Sequence, residues 1–310
     1  MALLVIRPGM LTTIQDRGRW GLQSRGVPVA GPMDPVSHRL ANALVGNHPD
    51  AAAIEVTLLG PELEFEDERM VAVAGAEFGL TLDGRTTPAG AFLVGSGARL
   101  RFGQRARGAR AYVAISGGVD VPPVLGSRST HVISAMGGRP LRTGDRVPLG
   151  PQSTSRPVSN ATREVVEPVV PLPGRRARIR VLPGPQNDHF VNDALEALQS
   201  APYLIAQNSD RMGFRLQGPA LRHARSADII SDATPLGVLQ VPASGQPILL
   251  MADRQTTGGY PKIATAITAD LPIAAQLAPG DEIDFVVCSR REAMAALIAQ
   301  ERAMLRIERP

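Results

Sequence analysis

The sequence predicts a mainly β fold with a few helices, arranged in two halves, and three observations carry that reading. Aromatic residues are scarce at 4%, while 31 glycines and 27 prolines among 310 residues cut the chain into short elements. That suits strands joined by turns better than long helices. Short apolar or alternating runs recur along the chain, and a proline-rich stretch containing serine and threonine interrupts them near the middle, as a linker between domains does. The expected organisation is a β-rich domain over residues 1–150, a linker over 151–175, and a second β-rich domain with a terminal helix over 176–310. A chain of this length can fill two hydrophobic cores.

Taken in order, the apolar run at residues 2–6 is followed by Arg7-Pro8-Gly9 and is too short for a secretory signal. Asp34 is placed to cap a helix that starts at Pro35, buries Val36, Leu40, Ala43 and Leu44 on one face, and stops at Gly46. Strands are expected at 70–74, 78–82, 99–102 and 110–116, with Asp83-Gly84 as a two-residue hairpin turn. Beyond the linker, further strands are expected at 179–182, 214–216, 237–241, 248–251 and 282–288. Asn187 or Asp188 is placed to cap a second helix with Val191, Ala194, Leu195 and Leu198 inward. The last helix opens on the capping box Ser289-x-x-Glu292, with Met294, Leu297, Ile298 and Leu305 on one side. Short motifs recur across the halves: Pro8-Gly9 and Pro183-Gly184, Asp16-Arg17 and Asp210-Arg211, Gly60-Pro61 and Gly218-Pro219. A duplicated β domain would produce them, and so would coincidence among such short matches.

Composition removes several function classes. The formal charge is +4, the arginines are scattered, and no basic stripe is interleaved with aromatics, so nucleic acid is not an expected partner. No segment approaches the ~18 consecutive apolar residues of a membrane span, and a cytoplasmic location is expected. The single cysteine, Cys288, lies in an apolar run and reads as a strand residue rather than a nucleophile. The five histidines lack metal-ligand spacing, and Walker A, His-Glu-x-x-His and Gly-x-Ser-x-Gly motifs are absent. No metal site is expected.

Lys262 is the only lysine in a chain with 33 basic residues of the Lys and Arg types. A compact ammonium kept amid so many arginines marks a place where the bulky, planar guanidinium will not serve, or is a chance survivor on a solvated loop. Its surroundings, Asp253-Arg254-Gln255-Thr256-Thr257-Gly258-Gly259-Tyr260-Pro261-Lys262, combine charge, hydroxyls and a glycine pair after an apolar strand. Glycine allows close approach of the backbone, and successive N–H groups can cradle an anion. Lys262 and Arg254 are therefore candidates for stabilising developing negative charge, with Asp253 orienting them. Thr256, Thr257, Gly258, Gly259 and Tyr260 are candidate substrate contacts. A second cluster, Gln15-Asp16-Arg17, stands beside the sole tryptophan, Trp20; it can bind an amide or carboxylate, or brace a loop.

Several segments together resemble one family: Thr12-Thr13-Ile14-Gln15-Asp16-Arg17-Gly18-Arg19-Trp20-Gly21, Met33-Asp34, Ala41-Asn42-Ala43-Leu44-Val45-Gly46-Asn47, Ser209-Asp210-Arg211-Met212-Gly213-Phe214 and Ala252-Asp253-Arg254-Gln255-Thr256-Thr257-Gly258-Gly259-Tyr260-Pro261-Lys262. This is the biotin-dependent carboxyltransferase family, which includes the second subunit of allophanate hydrolase and the C subunit of 5-oxoprolinase. The resemblance implies tandem cyclophilin-like β-barrel domains and a smaller companion subunit, the first subunit of an allophanate hydrolase or its 5-oxoprolinase counterpart. It also implies three alternative roles. The first is the larger subunit of an ATP-dependent 5-oxoprolinase-type complex, a hydrolase acting on the C–N bond of a cyclic amide with a third subunit. The second is the carboxyltransferase component of a biotin-dependent urea carboxylase, and the third a non-enzymatic regulator that binds its companion and antagonises a kinase inhibitor.

The first of these is the expectation adopted, with a small amide substrate, ATP used by the complex and no covalently bound cofactor. Biotin would enter only in the second, on another protein, because a biotinyl lysine typically sits between methionines and Lys262 sits in Tyr-Pro-Lys-Ile. The Ser-Ser-Lys arrangement of amidases is absent, and Pro32 stands where relatives often carry a small residue.

Overall fold

The computed structural model describes residues 1–152 and 169–308, so most of the expected linker at 151–175 lies outside the described residues. The chain is mostly β and forms two units. Unit one comprises Met1–Arg19, Ala30–Leu172 and Ala303–Pro310; unit two comprises Trp20–Val29 and Pro173–Arg302.

Unit one holds β1 (Ala2–Arg7), β2 (Leu11–Gln15), α1 (Pro35–Leu44), β3 (Ala53–Thr57), β4 (Glu62–Phe65), β5 (Arg69–Leu82), β6 (Arg85–Thr87), β7 (Gly90–Val94), β8 (Arg99–Ile115) and β9 (Arg146–Pro148). They form a nine-stranded sheet whose main path runs β2-β3-β8-β4-β1-β9, with β5 pairing β6, β7 and β8. One face of the sheet encloses Leu3, Val5, Ile54, Val56, Leu63, Phe65, Val71 and Val113; each fully buried side chain of this size stabilises by about 1.5–3 kcal/mol. Against Ala72, Tyr112 and Ala114 of the other face packs α1 through Val36, Leu40 and Leu44. Its cap is the expected one: the Asp34 carboxylate accepts from the backbone N–H groups of Val36 and Ser37. The Asp83-Gly84 turn also forms as expected, both residues having positive φ, and sets Leu82 opposite Arg85.

Two expectations change here. The separate strands at 70–74 and 78–82 are one strand, β5, and those at 99–102 and 110–116 are one strand, β8. The register slips between Gly75 and Leu80, with Gly75 and Gly108 at positive φ, so bulges bend the pair without ending it. The strand β3 escapes the sequence pattern altogether, because its uninterrupted burial hides the alternation that marks a strand.

Unit two contains β10 (Arg176–Pro183), α2 (Ala194–Gln199), β11 (Tyr203–Ile205), β12 (Gly213–Gln217), β13 (Asp232–Ala233), β14 (Val238–Gln240), β15 (Ile248–Leu250), β16 (Thr257–Gly258), β17 (Lys262–Ala266), α3 (Leu271–Ala275) and β18 (Glu282–Val287). A closed barrel runs β10-β17-β14-β15-β12-β11-β18, and β18 returns to β10 in parallel. The second expected helix is shorter than its pattern. Phe190 turns extended and bridges to His223, so only Ala194 and Leu198 are buried from a helix that starts later. The final helix, α4 (Arg290–Glu308), is capped as expected, the Ser289 N–H donating to Glu292 at 2.7 Å and the Glu292 N–H to Ser289 Oγ at 3.2 Å. Its supposed inward stripe is not inward: Met294, Ile298 and Leu305 are exposed, and Met304 is the buried residue. No helix among the described residues is long and apolar enough to cross a membrane.

Candidate functional site

In unit two, β15 delivers the chain to Asp253 and Arg254, and the chain returns through β16 and β17. Asp253 accepts two hydrogen bonds from the Arg211 fork, at 2.9 Å from Nη2 and 3.0 Å from Nε. Both side chains are buried, at 4% and 1% exposure, so this is a closed internal ion pair. The backbone reinforces it, with the Asp253 N–H donating to the Arg211 carbonyl. Asp210 holds its own turn by accepting from the Met212 N–H at 2.8 Å.

Lys262 is buried to 1% exposure at the start of β17. Its ammonium donates to Asp232 at 2.7 Å, and its backbone N–H donates to the Gln186 side chain at 3.3 Å. The hydrogen bond from Lys262 holds the Asp232 carboxyl below its usual range, while the Asp232 side chain stays half exposed at 51%. Pairing of β13 with β16 brings Asp232 there, setting Asp232 opposite Gly258. A methyl on Gly258 would come within 2.6 Å of Gln240 Nε2. Gln240 in turn accepts from Gln255 at 3.2 Å and donates to the Tyr260 carbonyl at 3.4 Å. The Gly259 carbonyl accepts from the Ile229 N–H, and Thr257 and Tyr260 are exposed.

Arg254 is the exception among the charges of this segment. Its Nε donates to the Thr234 carbonyl at 2.8 Å and its Nη1 to the Met251 carbonyl at 3.4 Å. Among the described residues no carboxylate pairs with it. Burial pushes its guanidinium down to about 10, so the group remains cationic at neutral pH. It lies in the wall of a cleft of about 350 Å³ within unit two. Gln255 and Thr256 add polar groups, Val29, Pro235 and Leu236 an apolar wall, and Trp20 an indole that is 61% exposed. The segment from Trp20 to Val29 therefore joins Arg254, which is remote from it in sequence. Nothing local in the sequence signals that meeting. Pro235, Leu236 and Asp232 carry no local signal either, because their neighbours are set by barrel pairing.

The second cluster lies in unit one and is differently disposed. Gln15 is fully buried, and its amide donates to Thr13 Oγ1 and the Thr130 carbonyl, each at 3.0 Å. Burial alone would raise the Asp16 carboxyl, but donors at Ser127, Arg128 N–H, Ser129 and Gly18 N–H outweigh it and hold the group below its usual range. Arg17 points outward and pairs with Asp50 at 3.0 Å, the two side chains 69% and 44% exposed. Arg19, by contrast, is buried and donates to the carbonyls of Val124, Ser127 and Ser129. These residues brace loops. Cys288 follows β18, and burial pushes its thiol up, which leaves little thiolate for nucleophilic chemistry.

A family model described as the carboxyltransferase domain, subdomain A and B, matches residues 25–287. The C subunit of the Escherichia coli (strain K12) 5-oxoprolinase is 40% identical over 304 residues, covering 97% of this chain and 96% of that protein. The urea amidolyase of Saccharomyces cerevisiae is 34% identical over 321 residues, covering 98% of this chain and 17% of the enzyme. The crystal structure of the K. lactis urea amidolyase matches with a TM-score of 0.90 and 34% identity over 100% of this chain. The chain spans 20% of that enzyme.

Proposed function

This chain belongs to the carboxyltransferase domain family, subdomains A and B, and on that premise we propose that it is the larger subunit of a 5-oxoprolinase-type complex that uses ATP to open a small cyclic amide. The observation that carries the reading is the 40% identity to the C subunit of a 5-oxoprolinase across 97% of this chain and 96% of that protein. A smaller companion subunit and a third subunit complete the complex, and a cytoplasmic location fits it. Opening a lactam builds negative charge on the amide oxygen, and fixed donors in a partly dry pocket stabilise such charge. The cleft beside Arg254, with Thr256 and Gln255 in its wall, offers such a place. Lys262, oriented by Asp232, is assigned to the electrostatics of the same loop, and Asp253 to holding that loop through Arg211.

The test is ATP-dependent glutamate formation from 5-oxoproline by the reconstituted subunits. Activity that vanishes when this chain is omitted supports the reading; a well-folded complete complex that forms no glutamate overturns it. Full activity of Lys262→Arg in the same assay would remove the lysine from the mechanism.

The match to urea amidolyase favours a second reading, carboxyl transfer from biotin borne on another protein to urea. The only lysine of this chain is buried and paired with Asp232, which does not fit a carrier lysine that must swing in solvent. Urea carboxylation by this chain with a separate biotinylated carrier would establish that reading in place of the first.

A further inference from the structure

The segment from Asp253 to Lys262 brings three charged side chains into unit two, and two of them meet their counter-charges there. Asp253 closes on Arg211 and Lys262 on Asp232. Arg254 has two backbone carbonyls, one of them at 3.4 Å, and its Nη2 meets no protein acceptor among the described residues. Removing a cation from water without an opposing charge is unfavourable, and a site that tolerates it is poised for a ligand that brings the charge. The planar fork of a guanidinium matches one chemical class best, a carboxylate held by parallel hydrogen bonds.

The rest of the cleft limits what that carboxylate belongs to. A volume of about 350 Å³ lies at the small end of ligand sites. Pro235, Leu236 and the exposed Trp20 indole offer flat apolar surface for a small ring, and Thr256 and Gln255 offer hydrogen bonds for an amide. We propose that Arg254 anchors the carboxylate of a small acidic cyclic amide in this cleft, with the ring against Trp20, Pro235 and Leu236, and so selects acidic over neutral amides. The proposal rests on the 5-oxoprolinase-type reading, since 5-oxoproline is a five-membered lactam bearing one carboxylate. It moves Arg254 from stabilising charge formed during reaction to holding charge the substrate already carries. A neutral substrate would leave the guanidinium unpaired, and polar groups left unpaired are a strong source of discrimination.

Because Trp20 is the only tryptophan and lines the cleft, its fluorescence reports occupancy directly. The full chain, alone and in the assembled complex, is titrated with 5-oxoproline and with 2-pyrrolidinone, the same ring without the carboxylate. The wild type is expected to bind 5-oxoproline roughly 10- to 100-fold more tightly than 2-pyrrolidinone, as a charge-assisted contact provides. Arg254→Met should abolish that preference while leaving 2-pyrrolidinone affinity unchanged, and Arg254→Lys should restore part of it. In turnover, Arg254→Met should raise KM for 5-oxoproline far more than it lowers kcat. Equal binding of the two ligands by the wild type, no saturable 5-oxoproline binding in chain or complex, or an unchanged preference in Arg254→Met overturns the proposal. Should Arg254→Met fail to fold, the wild-type comparison and Arg254→Lys decide the matter. Arg254-dependent binding without glutamate formation would overturn the proposed function and leave this assignment standing. Glutamate formation with a KM indifferent to Arg254→Met would do the reverse.

Discussion

Asp16-Arg17 of unit one and Asp253-Arg254 of unit two are both Asp-Arg dipeptides, and their charges are satisfied in opposite ways. Asp16 of unit one is surrounded by donors from Gly18, Ser127, Arg128 and Ser129, while Arg17 reaches out to Asp50 in solvent. In unit two, Asp253 is likewise satisfied, by Arg211, but its neighbour Arg254 turns inward and has no carboxylate among the described residues. The same two residue types thus give a braced loop in one place and a charged cleft in the other. What separates them is where the arginine goes: a solvated cation is screened, whereas a buried one without a partner retains its field for whatever enters.

The comparison breaks most severely at Asp253. Asp253→Ala removes the carboxylate that pairs with the buried Arg211 and is expected to destabilise the chain by about 3–5 kcal/mol, read from urea denaturation. Asp16→Ala should cost less, about 1–3 kcal/mol, because it orphans donors that are only partly shielded. That contribution has a pH signature. The folded Asp16 carboxyl is held below its usual range, so its stabilisation is complete above about pH 4 and fades as pH falls through the folded value. The stability gap between wild type and Asp16→Ala should therefore close on acidification, and a gap constant from about pH 7 to about pH 3 would contradict the hydrogen-bonding account. Lys262→Met sharpens the contrast among buried charges, since Asp232 keeps half its side chain in water. A change of no more than about 1 kcal/mol is expected on thermal unfolding, because the remaining carboxylate stays solvated. Smallest is Arg17→Ala, at most about 0.5 kcal/mol and vanishing in high salt, as for any exposed pair.

Much of the fold was legible because local chemistry decides it. Asp34 before Pro35, Asp83-Gly84 and Ser289 with Glu292 each specify an element end through their own hydrogen bonds or dihedrals, and the chain obeys them. The strands expected separately at 70–74 and 78–82 are fused because bulges at positive-φ glycines continue a ladder that periodicity alone sees as broken. On α4, amphipathic spacing identifies a helix but not its inward face; Met304 rather than Met294, Ile298 or Leu305 is buried. The segment from Asp253 to Lys262 stands out for its residue types, and the lone lysine singles out Lys262. Charge pairing is a long-range property, however. Lys262 meets Asp232, and Asp253 meets Arg211, across sequence separations of 30 and 42 residues. Only with those partners in place does Arg254 stand apart.

The parallel pairing of β10 with β18 closes the barrel of unit two between Arg176 and Val287, and Trp20–Val29 belongs to the same unit. On the ribosome this imposes a wait. At about 5–20 residues per second, the Trp20 segment leaves the exit tunnel many seconds before the last barrel strand exists. Unit one can begin to assemble in that interval while the segment that completes the Arg254 cleft stays unclaimed. A truncation or pause before Val287 would then leave an open strand edge on β10, the feature that drives premature association of nascent chains.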